Sequence, residues 1–315
     1  MCTLRFDTRA AAWGAPAEDR YAAAVDMCQW AETRGAVLAV LSEHQGADDG
    51  HLPAPLILAS AIAARTSQLA ILVAAVPIPL WDPVRLAEEI SVPDLISRGR
   101  VSYPLGVGHR PDEYEHFGLD MAARGRIADE IVAVLGPMVR GADVTFRGRQ
   151  VRVTPRCAAP DGPLMLIAGG STAAARRAGR SGLGFISQTA EPALKLYYES
   201  QCSQHGHQPG MFQGPVPGAP TTVFVADDVD EAWDELGPHL LHDAVMAAPY
   251  RPHDDSVASI NRADSVAALR AEDGPYRILT PQQAADYAQP LPLHPLCGGL
   301  AQEVAWRYLR DATAQ

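Results

Sequence analysis

The sequence contains almost no lysine. Lys195 is the single lysine among 26 basic residues, and 37 acidic residues give the chain a formal net charge of −11. The arginines are scattered, and they form no basic block of the kind that follows a phosphate backbone. The sequence therefore argues against a nucleic-acid partner.

Cysteines are few and widely spaced. Their number is odd, and none belongs to a Cys-x-x-Cys pair or to a Cys/His cluster with the spacing of metal ligands. The five are Cys2, Cys28, Cys157, Cys202 and Cys297. We interpret them as reduced thiols of a cytoplasmic protein, and we predict no metal site.

Long apolar runs are also missing. The longest, at 57–64 and 69–80, are too short or too interrupted by proline to span a bilayer. No basic stretch followed by an apolar core of signal-peptide type opens the chain. We expect a soluble, intracellular protein with no membrane partner.

Short apolar runs alternate with helical patterns along the whole sequence. Eight predicted strands, each followed by a helical pattern, indicate an α/β fold of the (β/α)8 TIM-barrel type, with a doubly wound open sheet as the alternative. The predicted strands are 4–8, 37–41, 69–76, 100–105, 163–168, 185–187, 221–225 and 291–296. The predicted helices are 16–34, 55–65, 83–97, 124–139, 172–180, 192–205, 230–246 and 300–309, and a polar hairpin is predicted around 144–153.

We predict a single domain over 1–315. One segment, 247–278, does not fit the repeat because it combines Pro, Asp and Ser with only a weak helical pattern around 257–269. Long excursions of this kind in a compact domain are usually functional or mobile. We interpret it as a lid or insertion over the barrel mouth, the alternative being a solvated surface excursion.

His44 follows the second predicted strand and the carboxylate Glu43. Because α/β folds assemble their sites at the carboxyl ends of parallel strands, its imidazole is placed to donate or accept a proton near neutral pH. The alternative is a structural histidine that is hydrogen-bonded to a neighbouring loop.

The turn Gly169-Gly170-Ser171-Thr172 lies between a predicted strand and a predicted helix. Such a turn presents backbone N–H groups and two hydroxyls at a helix N-terminus, where the helix dipole favours a phosphate group. The alternative is that Ser171 or Thr172 only caps the helix while the glycines permit a tight turn.

Small residues occupy the ends of two further strands. Ala74 and Ala75 end the third predicted strand, and Gly106 and Gly108 follow the fourth. Residues without bulky side chains let a flat ring approach the backbone closely. Two such strand ends suggest room for a planar cofactor.

Taken together, these residues resemble the bacterial luciferase-like family of flavin-dependent monooxygenases. The likeness covers most of the chain in ordered segments. They are Glu43-His44, 48–53, 61–66, 83–89, 94–100, 110–114, Gly169-Gly170-Ser171 and 295–299.

The resemblance implies a (β/α)8 barrel that holds reduced FMN at the carboxyl end of its strands. It implies that His44 is the proton-transfer residue and that Gly106 and Gly108 lie along the cofactor. It also implies that Ala74-Ala75 forms a non-prolyl cis peptide beneath the flavin ring. Gly169, Gly170, Ser171 and Thr172 would then bind the flavin phosphate.

Three functions follow from the resemblance. The first is a monooxygenase that oxidises a small organic substrate with molecular oxygen and reduced FMN, the FMN being supplied by a separate reductase. The second is a dehydrogenase or reductase that transfers hydride with the deazaflavin coenzyme F420. The third is a flavin-binding protein without turnover. The family also implies a homodimer.

Overall fold

The computed structural model describes residues 1–246, 248–250 and 261–313. Within them the chain forms an α/β structure in which all strand pairs but one are parallel. The strands are β1 (Cys2–Phe6), β2 (Ala36–Leu41), β3 (Ala70–Val73), β4 (Val76–Pro77), β5 (Val101–Gly106), β6 (Val144–Phe146), β7 (Arg149–Val151), β8 (Met165–Gly169), β9 (Gly184–Ser187), β10 (Phe212–Gln213), β11 (Thr222–Val225), β12 (Tyr276–Leu279) and β13 (Leu291–Leu293). The helices are α1 (Ala17–Glu32), α2 (Pro55–Arg65), α3 (Pro83–Ser97), α4 (Pro111–His116), α5 (Arg124–Val139), α6 (Thr172–Ser181), α7 (Pro192–Gln204), α8 (Val229–Met246), α9 (Val266–Ala271), α10 (Pro281–Ala285) and α11 (Gln302–Thr313).

The chain divides into two compact units, and the first combines both ends of the sequence, Met1–Ala70 and Val216–Gln315. Its strands pair in the order β12-β11-β13-β1-β2, every pair being parallel. Leu4 and Phe6 of β1 are fully buried, as are Ala39 and Leu41 of β2. The alternation of buried and half-buried residues along β1 is the period-two pattern of a strand whose one face lies in the core.

The second unit is continuous, Ile71–Pro215. Its strands pair in the order β3-β5-β8-β9-β10, again in parallel, and β4 pairs with the end of β5. The predicted polar hairpin is the antiparallel pair β6–β7. Pro104 within β5 lies opposite Leu166, and the pairing continues through Leu105 opposite Ile167.

Helix starts follow local sequence signals. Pro55 and Pro83 occupy the first helical positions of α2 and α3, where a missing N–H costs nothing. Asp82 caps α3 by accepting the N–H groups of Val84 at 2.9 Å and Arg85 at 3.2 Å. The helices predicted at 55–65, 83–97 and 124–139 are found with these bounds.

The segment predicted as a lid or insertion, 247–278, is described only in part. Residues 247 and 251–260 lie outside the described part of the chain. In the rest, α9 begins at Val266 with Ser265 as its cap, and Tyr276–Leu279 forms β12, a parallel neighbour of β11. Residues 276–278 therefore belong to a sheet, while the lid or insertion at 247–278 and the single-domain organisation stay predictions.

Candidate functional site

The glycine turn after β8 is shaped by close contacts. A Cβ atom on Gly169 would lie 2.8 Å from the Cβ of Ala174, and one on Gly170 would lie 2.9 Å from Cγ2 of Thr189. Real Cβ atoms do not come so close, so both positions require glycine. Thr189 is itself held in place, because its N–H donates to Oγ of Ser187 at 3.2 Å. The turn is therefore a rigid cradle without side chains.

Ser171 ends this turn and caps α6. Its Oγ accepts the N–H of Ala174 at 3.3 Å, and its carbonyl accepts the N–H of Ala175 at 3.0 Å. The backbone N–H groups of Thr172 and Ala173 lie in the first turn of α6, where backbone donors have no acceptor within the helix. Gly170, Ser171 and Thr172 are exposed, so these donors face solvent. The capping role of Ser171 is confirmed, and the phosphate-binding role of Gly169, Gly170, Ser171 and Thr172 stays a prediction.

Two of the three arginines of α6 are paired with Asp129, whereas Arg176 is exposed. Arg177 is buried, and its Nε donates to Oδ1 of Asp129 at 2.7 Å while its Nη2 donates to the carbonyl of Gly125 at 3.1 Å. Arg180 also pairs with Asp129, at 3.1 Å. Arg177 and Arg180 are thus already engaged by Asp129, and backbone N–H groups and two hydroxyls lie at the start of α6.

Two further predicted positions of the second unit lie side by side. The Ala74–Ala75 peptide bond is cis, as the resemblance implies. A Cβ on Gly106 would lie 3.3 Å from that of Ala75, because β4 brings Pro77 opposite Gly106. The end of β5 and the cis peptide thus form one continuous small-residue surface.

Gly108 closes this surface. It has a φ of +71°, and a Cβ there would lie 3.5 Å from Cε2 of Tyr114 and 3.6 Å from Cβ of Pro77. The hydroxyl of Tyr114 donates to the carbonyl of Val107, and burial raises the pKa of Tyr114 to about 12. The phenol therefore stays protonated at neutral pH and fixes the backbone beside Gly108.

His44 lies in the first unit, in the loop that follows β2. The backbone N–H of His44 donates to the carbonyl of Leu52 at 3.1 Å, and the backbone N–H of Leu52 donates to the carbonyl of Asp7 at 2.7 Å. The rings of His44 and His51 meet edge to face, with centroids 4.8 Å apart. The His44 ring is half-buried and packs against the buried ring of His51. The loop is thus fixed to the end of β1, while the catalytic role of His44 stays a prediction.

A cluster of buried charges, not predicted from the sequence, occupies the first unit. Asp7 and Arg9 follow β1, Asp49 lies in the loop after β2, Asp243 lies in α8 and His294 follows β13. Arg9 Nε lies 3.4 Å from Oδ2 of Asp49, and Arg9 Nη1 lies 3.6 Å from Oδ1 of Asp243. Burial alone would raise the pKa of Asp7, but His294, Arg9 and Arg5 hold it well below its usual range.

Only a faint sequence signal marks this cluster. Charged residues at Asp7 and His294 come directly after strands, which is where polar residues of α/β folds gather. Their partners Asp49 and Asp243 carry no such mark, because a loop residue and a mid-helix aspartate look like ordinary surface positions.

Residues 4–291 match the model of the luciferase-like monooxygenase family. Among curated proteins, the chain is 25% identical over 194 residues to an alkanal monooxygenase alpha chain from the Kryptophanaron alfredi symbiont, covering 58% of this chain and 54% of that one. It is 26% identical over 119 residues to the oxygenase component of a flavin-dependent trigonelline monooxygenase from Acinetobacter baylyi, covering 37% and 33%. The first curated relatives are matched over about a third of their length.

Solved structures share the fold. Monooxygenase RslO1 from Streptomyces bottropensis has a TM-score of 0.70 at 21% identity, covering 100% of this chain and 98% of that one. The oxygenating constituent of 3,6-diketocamphane monooxygenase from Pseudomonas putida, in complex with FMN, has a TM-score of 0.61 at 18% identity, covering 79% and 74%. The α/β fold of these proteins, a TIM barrel in this family, is the one predicted from the sequence. Because the family model matches residues 4–291, which is nearly the whole chain, the chain belongs to the luciferase-like monooxygenase family.

Proposed function

We propose that the protein is a flavin-dependent monooxygenase that uses reduced FMN and molecular oxygen to oxidise a small organic substrate. The observation that carries the proposal is the turn from Gly169 to Thr172 at the start of α6, in which two glycines precede two hydroxyl residues. Its exposed N–H groups and hydroxyls suit a phosphate monoester, which FMN has and unphosphorylated flavins lack. The cofactor therefore fits the residues present.

The remaining parts of the proposal assign roles to the chain's own residues. FMN would supply electrons to oxygen when bound. The small-residue surface of Ala74, Ala75, Gly106 and Gly108 would accommodate a planar ring, since none of these four residues has a side chain larger than methyl. His44 is the residue that we propose to hold and transfer a proton. A separate flavin reductase would deliver reduced FMN, as "oxygenase component" in the name of the Acinetobacter relative suggests.

The phosphate assignment is tested with two variants of one residue. Ser171→Asp keeps an oxygen at the cap of α6, but it places a negative charge beside the phosphate. We expect it to weaken FMN binding at least tenfold in an anaerobic fluorescence titration while leaving riboflavin binding unchanged. Ser200→Asp, an equally exposed serine on α7, is the matched control.

The same titration separates the alternatives. Tight binding of the deazaflavin coenzyme with no affinity for FMN would move the protein to hydride transfer. Equal FMN affinity in Ser171→Asp and the native protein would remove the turn from the cofactor site. FMN binding without oxygen-dependent oxidation of any probe would favour a flavin-binding protein without turnover.

The role of His44 is tested separately. His44→Ala should reduce oxygen-dependent turnover of a long-chain aldehyde, used as probe substrate, by 100-fold or more, since a positioned proton-transfer group contributes roughly 10²–10⁴-fold. FMN affinity should stay unchanged, and His116→Ala, an exposed histidine on α4, should leave turnover as in the native protein. Undiminished turnover in His44→Ala would refute the assignment.

We also infer that the protein is a cytoplasmic homodimer. In the described residues, no helix combines the length and apolarity needed to cross a membrane. Helix α3 exposes Val92, Leu95 and Ile96 at helical spacing, with relative exposures of 47%, 40% and 43%. An apolar stripe of this kind is typical of a helix face that packs against a partner.

A further inference from the structure

Three chemically distinct side chains meet in the interior of the first unit. They are Asp243 of α8, His294 directly after β13, and Cys297 in the turn that follows. One ligand atom from each lies within 4.8 Å of the other two, and the side chains are at most 2% exposed. A carboxylate, an imidazole and a thiol at this spacing form a possible donor set for a transition metal ion.

Part of this donor set has no protein partner. Within the described residues, Oδ1 of Asp243 and both ring nitrogens of His294 make no hydrogen bond. Nδ1 of His294 lies 3.9 Å from Oδ2 of Asp243, which is beyond hydrogen-bond distance. Oδ1 of Asp243 still has Arg9 Nη1 at 3.6 Å, and Nε2 of His294 has Oδ1 of Asp7 at 3.4 Å. Buried polar atoms are otherwise almost always hydrogen-bonded, so Nδ1 of His294 points to a ligand.

The surroundings have the form of an outer coordination shell. Nε2 of His294, on the far side of the ring from Nδ1, lies 3.4 Å from Oδ1 of Asp7. The hydroxyl of Tyr276 donates to Oδ2 of Asp243 at 2.6 Å. Metal-bound histidines usually direct their second nitrogen at a carboxylate, and metal-bound carboxylates are usually hydrogen-bonded in turn. Both supports are present here.

The charge balance of the cluster agrees. Asp7, Asp49 and Asp243 carry three negative charges against the two positive charges of Arg5 and Arg9. A divalent ion bound to a thiolate adds one positive charge and neutralises the set.

We propose that Asp243, His294 and Cys297 bind one divalent transition metal ion of the zinc type. Binding forms a bond between the metal and the Cys297 sulfur, and the thiol proton is released to solvent. Because the site is closed, the ion's role is structural, and it fastens α8 to the turn after β13. The inference does not depend on the flavin.

The proposal is tested on the full chain with metal alone. Purified protein is stripped with a chelator, titrated with Co²⁺ and then with Zn²⁺. We expect one Co²⁺ per chain, a thiolate-to-cobalt charge-transfer band in the near ultraviolet, loss of that band on adding Zn²⁺, and a higher unfolding temperature with Zn²⁺.

Variants locate the ligands. Cys297→Ser should abolish the band, whereas Cys28→Ser, a buried cysteine of α1, should retain it. Asp243→Asn keeps the side-chain shape and should lower Co²⁺ affinity at least tenfold. No stoichiometric uptake by the native protein, or a band that survives Cys297→Ser, overturns the proposal. If Cys297→Ser does not fold, unchanged Co²⁺ affinity in Asp243→Asn overturns it instead.

Discussion

At the scale of the residue, burial decides what the neighbouring imidazoles of the His44 loop can do. His51 is 4% exposed. Burial lowers its pKa well below the usual value; Asp7 opposes this shift, and Arg9, His44 and Arg5 add to it. His51 is therefore a neutral ring at the pH where enzymes of this kind work, and it provides a fixed surface against which His44 packs.

The lowered pKa of His51 predicts a pH dependence of stability. In the unfolded chain the residue takes up a proton near pH 6.5, whereas in the folded protein it does so only at much lower pH. Above pH 6.5 His51 does not lower the free energy of unfolding. As the pH falls below 6.5, the free energy of unfolding decreases by up to about 1.4 kcal/mol per pH unit. Urea denaturation at several pH values measures this slope.

His51→Asn should flatten that slope, and His116→Gln, which alters an exposed histidine, should not. Parallel pH profiles for His51→Asn and the native protein would show that the pKa of His51 is the same in the folded and unfolded states.

The residues of the candidate site were predictable where they follow the strand-end rule. His44, Ala74 and Ser171 lie within a few residues after a strand, and Gly106 ends one; this position made them conspicuous in the sequence. Arg9, Asp49 and Asp243 could not be predicted, because each is buried only by partners distant in sequence. Pairing of buried charges depends on the finished fold, and local pattern does not record it.

At the scale of the element, the end of α1 is fastened to the turn before β3. The carboxylate of Glu32 accepts the backbone N–H groups of Ser67 at 2.8 Å and Leu69 at 2.7 Å, and that of Gln68 as well. Burial alone would raise the pKa of Glu32, but these hydrogen bonds lower it. One carboxylate thus accepts the backbone N–H groups of three consecutive turn residues.

Glu32→Ala should lower the free energy of unfolding by about 1–3 kcal/mol, because it removes a charged acceptor from three backbone donors. Chemical denaturation measures the change. Glu18→Ala, at the exposed start of the same helix, should cost only a few tenths of a kcal/mol, the usual size of a charge–dipole effect. Equal losses for the two variants would show that the turn is held by other contacts.

Helices with a strong period and several short strands were predicted closely, whereas two other short strands were missed. Helices α2, α3 and α5 combine apolar spacing with clear ends, and their predicted bounds agree with the structure. β12 was missed because Tyr276–Leu279 comprises four residues inside a segment rich in Pro and Asp. β10 has only two residues, which is too few to show any period.

At the scale of the whole molecule, the exposed stripe of α3 gives the inferred dimer a test. Leu95→Glu places a charge in the middle of that stripe and should convert a dimer to a monomer of half the mass, measured by size-exclusion chromatography with light scattering. Leu196→Glu, on the exposed face of α7, should leave the mass unchanged. A native protein that already runs as a monomer would refute the dimer itself.

The pairing of β1 with β13 also governs how the protein can be made. Cys2 lies opposite Leu291, so β1 leaves the ribosome nearly 290 residues before one of its two neighbouring strands exists. The second unit, continuous from Ile71 to Pro215, meets no such delay. During synthesis the second unit should therefore fold before the first is complete. Until β13 is made, the unpaired edge of β1 is exposed to chaperones and to aggregation.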